Sequence, residues 1–60
     1  MSISIDDLEK VYDYLAESLD AVASEKRDLF LVKLALLSAN QIEDGHLFIQ
    51  LINQAKQFEN

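Results

Sequence analysis

His46 is the only histidine of the 60-residue chain, and Glu43 and Asp44 lie close to it in the sequence. A histidine with two carboxylates could bind a metal ion, or it could act as a general base for a nucleophile. One imidazole and two carboxylates of a turn make a weak metal site. There is also no cysteine and no glycine-framed serine to act as the nucleophile. We therefore expect no catalytic residue, no metal site, no cofactor and no enzymatic activity.

Five acidic side chains follow one another at spacings of 3, 4, 4 and 3 and share one face of the first predicted helix. This acidic row comprises Asp6, Glu9, Asp13, Glu17 and Asp20. Side chains along one helix cannot converge on a single ion, so the row is not a carboxylate cage for a metal. It is either the solvated side of an amphipathic helix or a docking face for a basic protein partner, and the pattern favours the solvated side.

The string Glu17-Ser18-Leu19-Asp20 resembles the Asp-Ser-Leu tract of acyl carrier proteins, which are small, acidic and helical. In that family the serine carries phosphopantetheine, so the resemblance implies a carrier modified on Ser18. The serine of the family lies at a helix start after a long loop, whereas Ser18 lies inside the first predicted helix. The other interpretation is an ordinary exposed serine.

Length and charge limit the fold and the partners. A domain of 60 residues buries only roughly 60% of its unfolded surface, and this chain has no cysteine for a stabilising disulfide. Its net charge of −6 has the wrong sign for binding nucleic acid or an anionic membrane surface. The apolar stretch 29–42 is too short to span a bilayer, and the amino terminus lacks the features of a secretory signal. We expect a cytoplasmic protein.

The hydrophobic pattern predicts a single all-α domain over residues 1–60. With no proline and one glycine, the chain favours helix over about residues 5–22, 25–42 and 46–58. One continuous helix through the first two segments would bring polar residues onto the apolar side, so a break between about residues 20 and 26 is expected. Short connections predict antiparallel neighbours and an up-down-up three-helix bundle.

Four residues mark the ends of these helices. Ser4 is placed to cap helix 1, and Ser24 is placed to cap helix 2. Gly45 is expected to adopt the positive φ of the second turn, because glycine does so without steric cost. Asp44 is then placed to cap helix 3, whose apolar face is expected to reach Phe58.

Helix 2 is apolar around most of its circumference. Its one polar stripe comprises Lys26, Lys33, Asn40 and Asp44. A helix in a small bundle contacts two neighbours, so a wider apolar surface faces water unless something covers it. We favour a homodimer formed by helix 2, assisted by helix 3, near a two-fold axis. The expected interface comprises Leu29, Leu31, Val32, Ala35, Leu36, Ala39, Asn40 and Ile49.

Other interpretations of helix 2 stay open. It could be the most buried helix of a monomer, or its apolar face could meet a different protein, with this chain as a regulatory subunit. Asn40 could bond to its counterpart across the dimer axis and fix the register, or it could simply lie in the polar stripe beside Lys33.

Residues 12–55 carry a Tyr-x-x-Leu pair at 12–15 and the tract Leu-Leu-Ser-Ala-Asn-Gln-Ile-Glu-Asp at 36–44. This segment resembles a family of short bacterial proteins recorded as a domain of unknown function. In that family a glycine often precedes the aspartate of the tract, and Glu43 stands there in this chain. The resemblance implies a bacterial source and a helical fold, and it implies no catalytic or binding residue. The leading hypothesis is a non-enzymatic, homodimerising protein interaction module.

Overall fold

The computed structural model describes residues 2–58, and this part of the chain contains three α-helices and no strand. Helix α1 spans Ile5–Ala21, α2 spans Arg27–Ile42 and α3 spans Gly45–Ala55. A single 3-10 turn at Ser24–Lys26 leads into α2. The predicted all-α fold class is therefore confirmed.

The chain forms two units, Met1–Phe30 and Leu31–Asn60. The first unit holds α1, the 3-10 turn and the first residues of α2. The second unit holds the rest of α2 and all of α3. Helix α2 therefore contributes residues to both units.

The start of α1 is fixed by its own side chains. Ser4 has extended backbone angles, and its Oγ accepts a hydrogen bond from the backbone N–H of Asp7 at 3.1 Å. Asp6 and Asp7 lie in the first turn, where the helix dipole favours negative charge. The cap predicted at Ser4 is confirmed. At the other end Val22 returns to an extended conformation, so α1 ends at Ala21.

Arg27 links the end of α1 to the start of α2. Its Nε donates a hydrogen bond to the carbonyl oxygen of Leu19 at 2.9 Å. That carbonyl lies in the last turn of α1, where backbone acceptors lack partners within the helix. The last turn of α1 contains no basic residue, so the guanidinium supplies the positive charge that the helix dipole favours there.

The cap predicted at Ser24 is wrong. The residue that caps the 3-10 turn is Ala23, which makes no side-chain hydrogen bond, and the hydroxyl of Ser24 lies 3.5 Å from Oε2 of Glu25. Lys26 closes the turn by donating its backbone N–H to Ala23 at 2.8 Å. Because residues 24–26 take this tighter conformation, α2 begins at Arg27, two residues after the predicted start at about residue 25.

The prediction of a positive φ at Gly45 is also wrong. Glu43 adopts the left-handed conformation, with φ of 61°, and Gly45 is the first residue of α3. Asp44 caps α3 as predicted, since its Oδ1 accepts a hydrogen bond from the N–H of Leu47 at 3.0 Å. With Asp44 held in the cap, the chain turns at the residue before it. A Cβ in this conformation is strained, so Glu43 occupies a position that suits glycine.

Helix α3 is shorter than predicted. It ends at Ala55, with Lys56 as its cap, and Lys56 donates its backbone N–H to Ile52 at 3.1 Å. Phe58 lies beyond the helix and is 80% exposed. The expectation that Phe58 continues the apolar face of α3 is therefore wrong.

Replacing Glu43 with glycine should stabilise the fold by about 1 kcal/mol, because glycine adopts φ of 61° without a Cβ clash. The measurement is thermal unfolding, in which the midpoint should rise by about 4–8 °C for a domain of this size. Gln50→Gly is the matched control, since it introduces the same residue inside α3 and should lower stability by about 1 kcal/mol. A Glu43→Gly variant no more stable than the parent would contradict strain at this position.

Replacing Arg27 with methionine should cost about 1 kcal/mol of stability, because the Leu19 carbonyl loses its donor and α1 loses the positive charge at its end. Lys26→Met is the control, because it removes the same charge from the neighbouring exposed residue. Urea unfolding of both variants tests the difference. Equal midpoints would mean that the Arg27 hydrogen bond does not contribute to stability.

Candidate protein interaction surface

None of the side chains that the structure describes is buried. Partial shielding is confined to nine residues: Leu15, Ser18, Leu19, Val22, Phe30, Ala35, Ser38, Ala39 and Phe48. Helical proteins gain most of their stability by burying the apolar faces of their helices. In the described residues, the apolar surface whose burial usually supplies that stability is therefore exposed to solvent.

Helix α2 has a less exposed side and a more exposed side. Leu34 and Ile42 are each 38% exposed, whereas Leu29 and Leu36 are each 66% exposed. Val32, at 55% exposure, lies with the latter pair. We call Leu29, Val32 and Leu36, together with the partly shielded Ala39 at their border, the open face of α2. Their spacings of 3, 4 and 3 place them on one face of this continuous helix.

Charged side chains of opposite sign border the open face. Asp28 lies along one edge and Lys33 along the other, as the helical period of about 100° per residue requires. Both residues are exposed, as is Asn40, which lies on the same edge as Lys33. This position agrees with the interpretation of Asn40 as a member of the polar stripe. The open face is thus an apolar strip with an anionic edge and a cationic edge.

The remaining predicted interface residues fall in different places. Leu31, at 41% exposure, lies on the less exposed side of α2 with Leu34, and Ala35 is partly shielded. Ile49 lies on α3 and is more than half exposed. Sequence reasoning missed Leu37, which is 60% exposed. A helical projection places Leu37 beyond the edge formed by Lys33 and Asn40, outside the predicted interface, so it gave no signal for this residue.

Helix α1 exposes apolar surface as well. Leu8, Val11 and Tyr12 are each more than half exposed. Further along the same helix Leu15 and Leu19 are partly shielded. The acidic row is exposed along its whole length. The first half of α1 is therefore a second apolar surface beside a solvated row of carboxylates.

Ser18 is poorly placed for a prosthetic group. It lies inside α1, is partly shielded, and its hydroxyl donates to the carbonyl oxygen of Tyr14 at 2.7 Å. A hydroxyl engaged with the preceding turn is common for serine inside a helix. No observation in the structure favours a carrier modified at this residue.

His46 lies in the first turn of α3 and is exposed. Within residues 2–58 no three histidine or acidic side chains come together in a group that could hold a metal ion. The same part of the chain contains no helix with the length and apolar character needed to cross a bilayer. The open face of α2 is left as the candidate functional surface.

Co-expression with a phosphopantetheinyl transferase should leave the protein at its unmodified mass of 6.8 kDa, because the Ser18 hydroxyl is held within α1. Intact mass spectrometry measures the outcome, and an acyl carrier protein expressed alongside controls for an active transferase. A mass increase that disappears in Ser18→Ala would contradict this prediction and establish a carrier.

No family model, no curated protein and no solved structure matches this chain.

Proposed function

We propose that the protein is a non-enzymatic interaction module that forms a homodimer through the open face of α2. The observation that carries the proposal is the exposure of Leu29, Val32 and Leu36 on one side of a single helix. Full burial of one such side chain stabilises a protein by roughly 1.5–3 kcal/mol. While these three side chains stay exposed, each chain lacks several kcal/mol of stabilisation that their burial would give. A typical folding stability is about 5–15 kcal/mol.

Helix length adds a second argument. Helices shorter than about 12–15 residues are marginal in water by themselves, even in alanine-rich sequences. Helix α3, with 11 residues, falls below this limit and α2, with 16, lies just above it, so both gain stability when their apolar sides are packed. Association through α2 supplies that packing in a chain without cysteine or a metal-binding group among its described residues.

A second copy of the chain fits this surface better than the other candidate ligands. The net charge of −6 opposes binding to phosphate backbones and to anionic lipids. The open face has an anionic edge and a cationic edge, so two copies can bring opposite charges together. Closed pairs that use the same patch on both subunits are the commonest oligomers.

The proposed dimer acts by presenting surfaces, and it performs no chemistry. The acidic row of α1 stays in solvent, where it keeps the dimer soluble and is available to a basic protein. The compartment we propose is the cytoplasm, and the resemblance of residues 12–55 to the bacterial family suggests a bacterial source. Ile49 on α3 extends the interface beyond α2.

Light scattering on a size-exclusion column, repeated over a wide dilution series, tests the proposal. We expect a mass near twice 6.8 kDa. Leu36→Lys should lower it to the monomer mass, because an unpaired ammonium cannot be buried in the interface. Gln50→Lys, which adds the same charge to an exposed polar residue of α3, should leave the dimer intact.

A folded parent protein with the monomer mass at every concentration would overturn the proposal. So would a Leu36→Lys variant that dimerises as tightly as the parent. If the parent is monomeric alone but co-purifies from its host in stoichiometric amounts with a different protein, the chain is a subunit of a hetero-complex and self-association is excluded as its role.

A further inference from the structure

We infer that the two copies of α2 pair in parallel, with Asp28 of each chain facing the partner's Lys33. The inference rests on the proposed homodimer and adds its orientation and the charges that select it. The supporting observation is the charge on the two edges of the open face, which does not depend on how exposed that face is.

The spacing of the open face is that of a short coiled-coil seam. In the heptad labelled abcdefg, Leu29 and Leu36 occupy the positions labelled a, and Val32 and Ala39 occupy those labelled d. In this frame Asp28 takes a g position and Lys33 takes an e position. Side chains at e and g flank the seam, and in coiled coils they set the choice and orientation of the partner.

A parallel pair brings these two charges together. In that arrangement a g residue faces the e residue five positions later on the other chain, so Asp28 faces the partner's Lys33. The two-fold symmetry repeats the pair, giving two contacts between opposite charges. Both side chains are exposed on the edges of the seam in the single chain, so neither has to leave a buried site to make the contact.

An antiparallel pair brings like charges together. Pairing the seam in that direction sets Leu29 against the partner's Ala39 and Val32 against the partner's Leu36. Residues at e then face e residues, which puts Lys33 opposite its own counterpart. The antiparallel arrangement therefore replaces two attractive contacts with one repulsive contact, and the charge pattern selects the parallel pair.

Disulfide formation between single-cysteine variants tests the orientation, because the chain has no cysteine of its own. In a parallel pair each seam residue meets its own counterpart, so Leu29→Cys alone and Ala39→Cys alone should both form intermolecular disulfides in a glutathione buffer. In an antiparallel pair two copies of residue 29 lie about 15 Å apart along the axis, since ten residues separate it from residue 39. A disulfide needs Cα atoms within about 7 Å.

Gln50→Cys provides the control for random collision, because it places a thiol on an exposed residue of α3. The inference requires both seam variants to crosslink well above this control. Crosslinking only in a mixture of Leu29→Cys and Ala39→Cys would overturn the parallel orientation and leave the homodimer standing. A monomer mass with no crosslinking in any sample would overturn the homodimer itself.

A charge variant tests the same orientation without touching the seam. Lys33→Glu should raise the dimer dissociation constant about fivefold in a parallel pair, because it sets two carboxylates against each other. The double variant Asp28→Lys with Lys33→Glu should bring the constant back toward the parent value. An unchanged dissociation constant for Lys33→Glu would contradict the inference. In an antiparallel pair residue 33 faces its own counterpart, so the substitution replaces a contact between two lysines with a contact between two glutamates.

Discussion

The fold depends on how the apolar surface of α2 is covered. A chain of 60 residues without cysteine has packing as its main source of stability, and the described part of this chain buries none of its side chains. Leu29 and Leu36 stay two-thirds exposed on the helix with the longest apolar stretch. Hydrophobic burial is the largest favourable term in folding, so a partner that covered this surface would stabilise the protein.

Short-range hydrogen bonds fix the helices that present this surface. Ser4 and Asp44 each satisfy a backbone N–H three residues ahead, and Arg27 reaches back to the carbonyl of Leu19. These contacts need no second chain. The 3-10 turn at Ser24–Lys26 and the left-handed conformation of Glu43 set where α2 begins and ends, and thereby which of its residues form the open face. Local bonds thus determine the shape of the surface, and the homodimer that we propose would supply the burial that it lacks.

Sequence patterns predicted the helical class and the caps at Ser4 and Asp44, because both depend on residues within one turn of each other. They failed at Ser24 and Gly45, because the conformation at each position also depends on the residues beside it. The 3-10 turn moved the start of α2 past Ser24, and the cap at Asp44 left Glu43 to turn the chain. Periodicity also identified α2 as the surface to examine. It could not separate Leu31 from Leu37, because their exposure depends on what packs beside the helix and not on residue type.

Amide hydrogen exchange of α2, measured at protein concentrations above and below the dimer dissociation constant, tests the central claim most directly. If a second copy covers the open face, the amides of Arg27–Ile42 exchange more slowly at the higher concentration, because their opening then requires dissociation. The same rate at both concentrations, in a chain whose helical content is unchanged, would contradict the account. It would mean that α2 is stable without a partner on its open face.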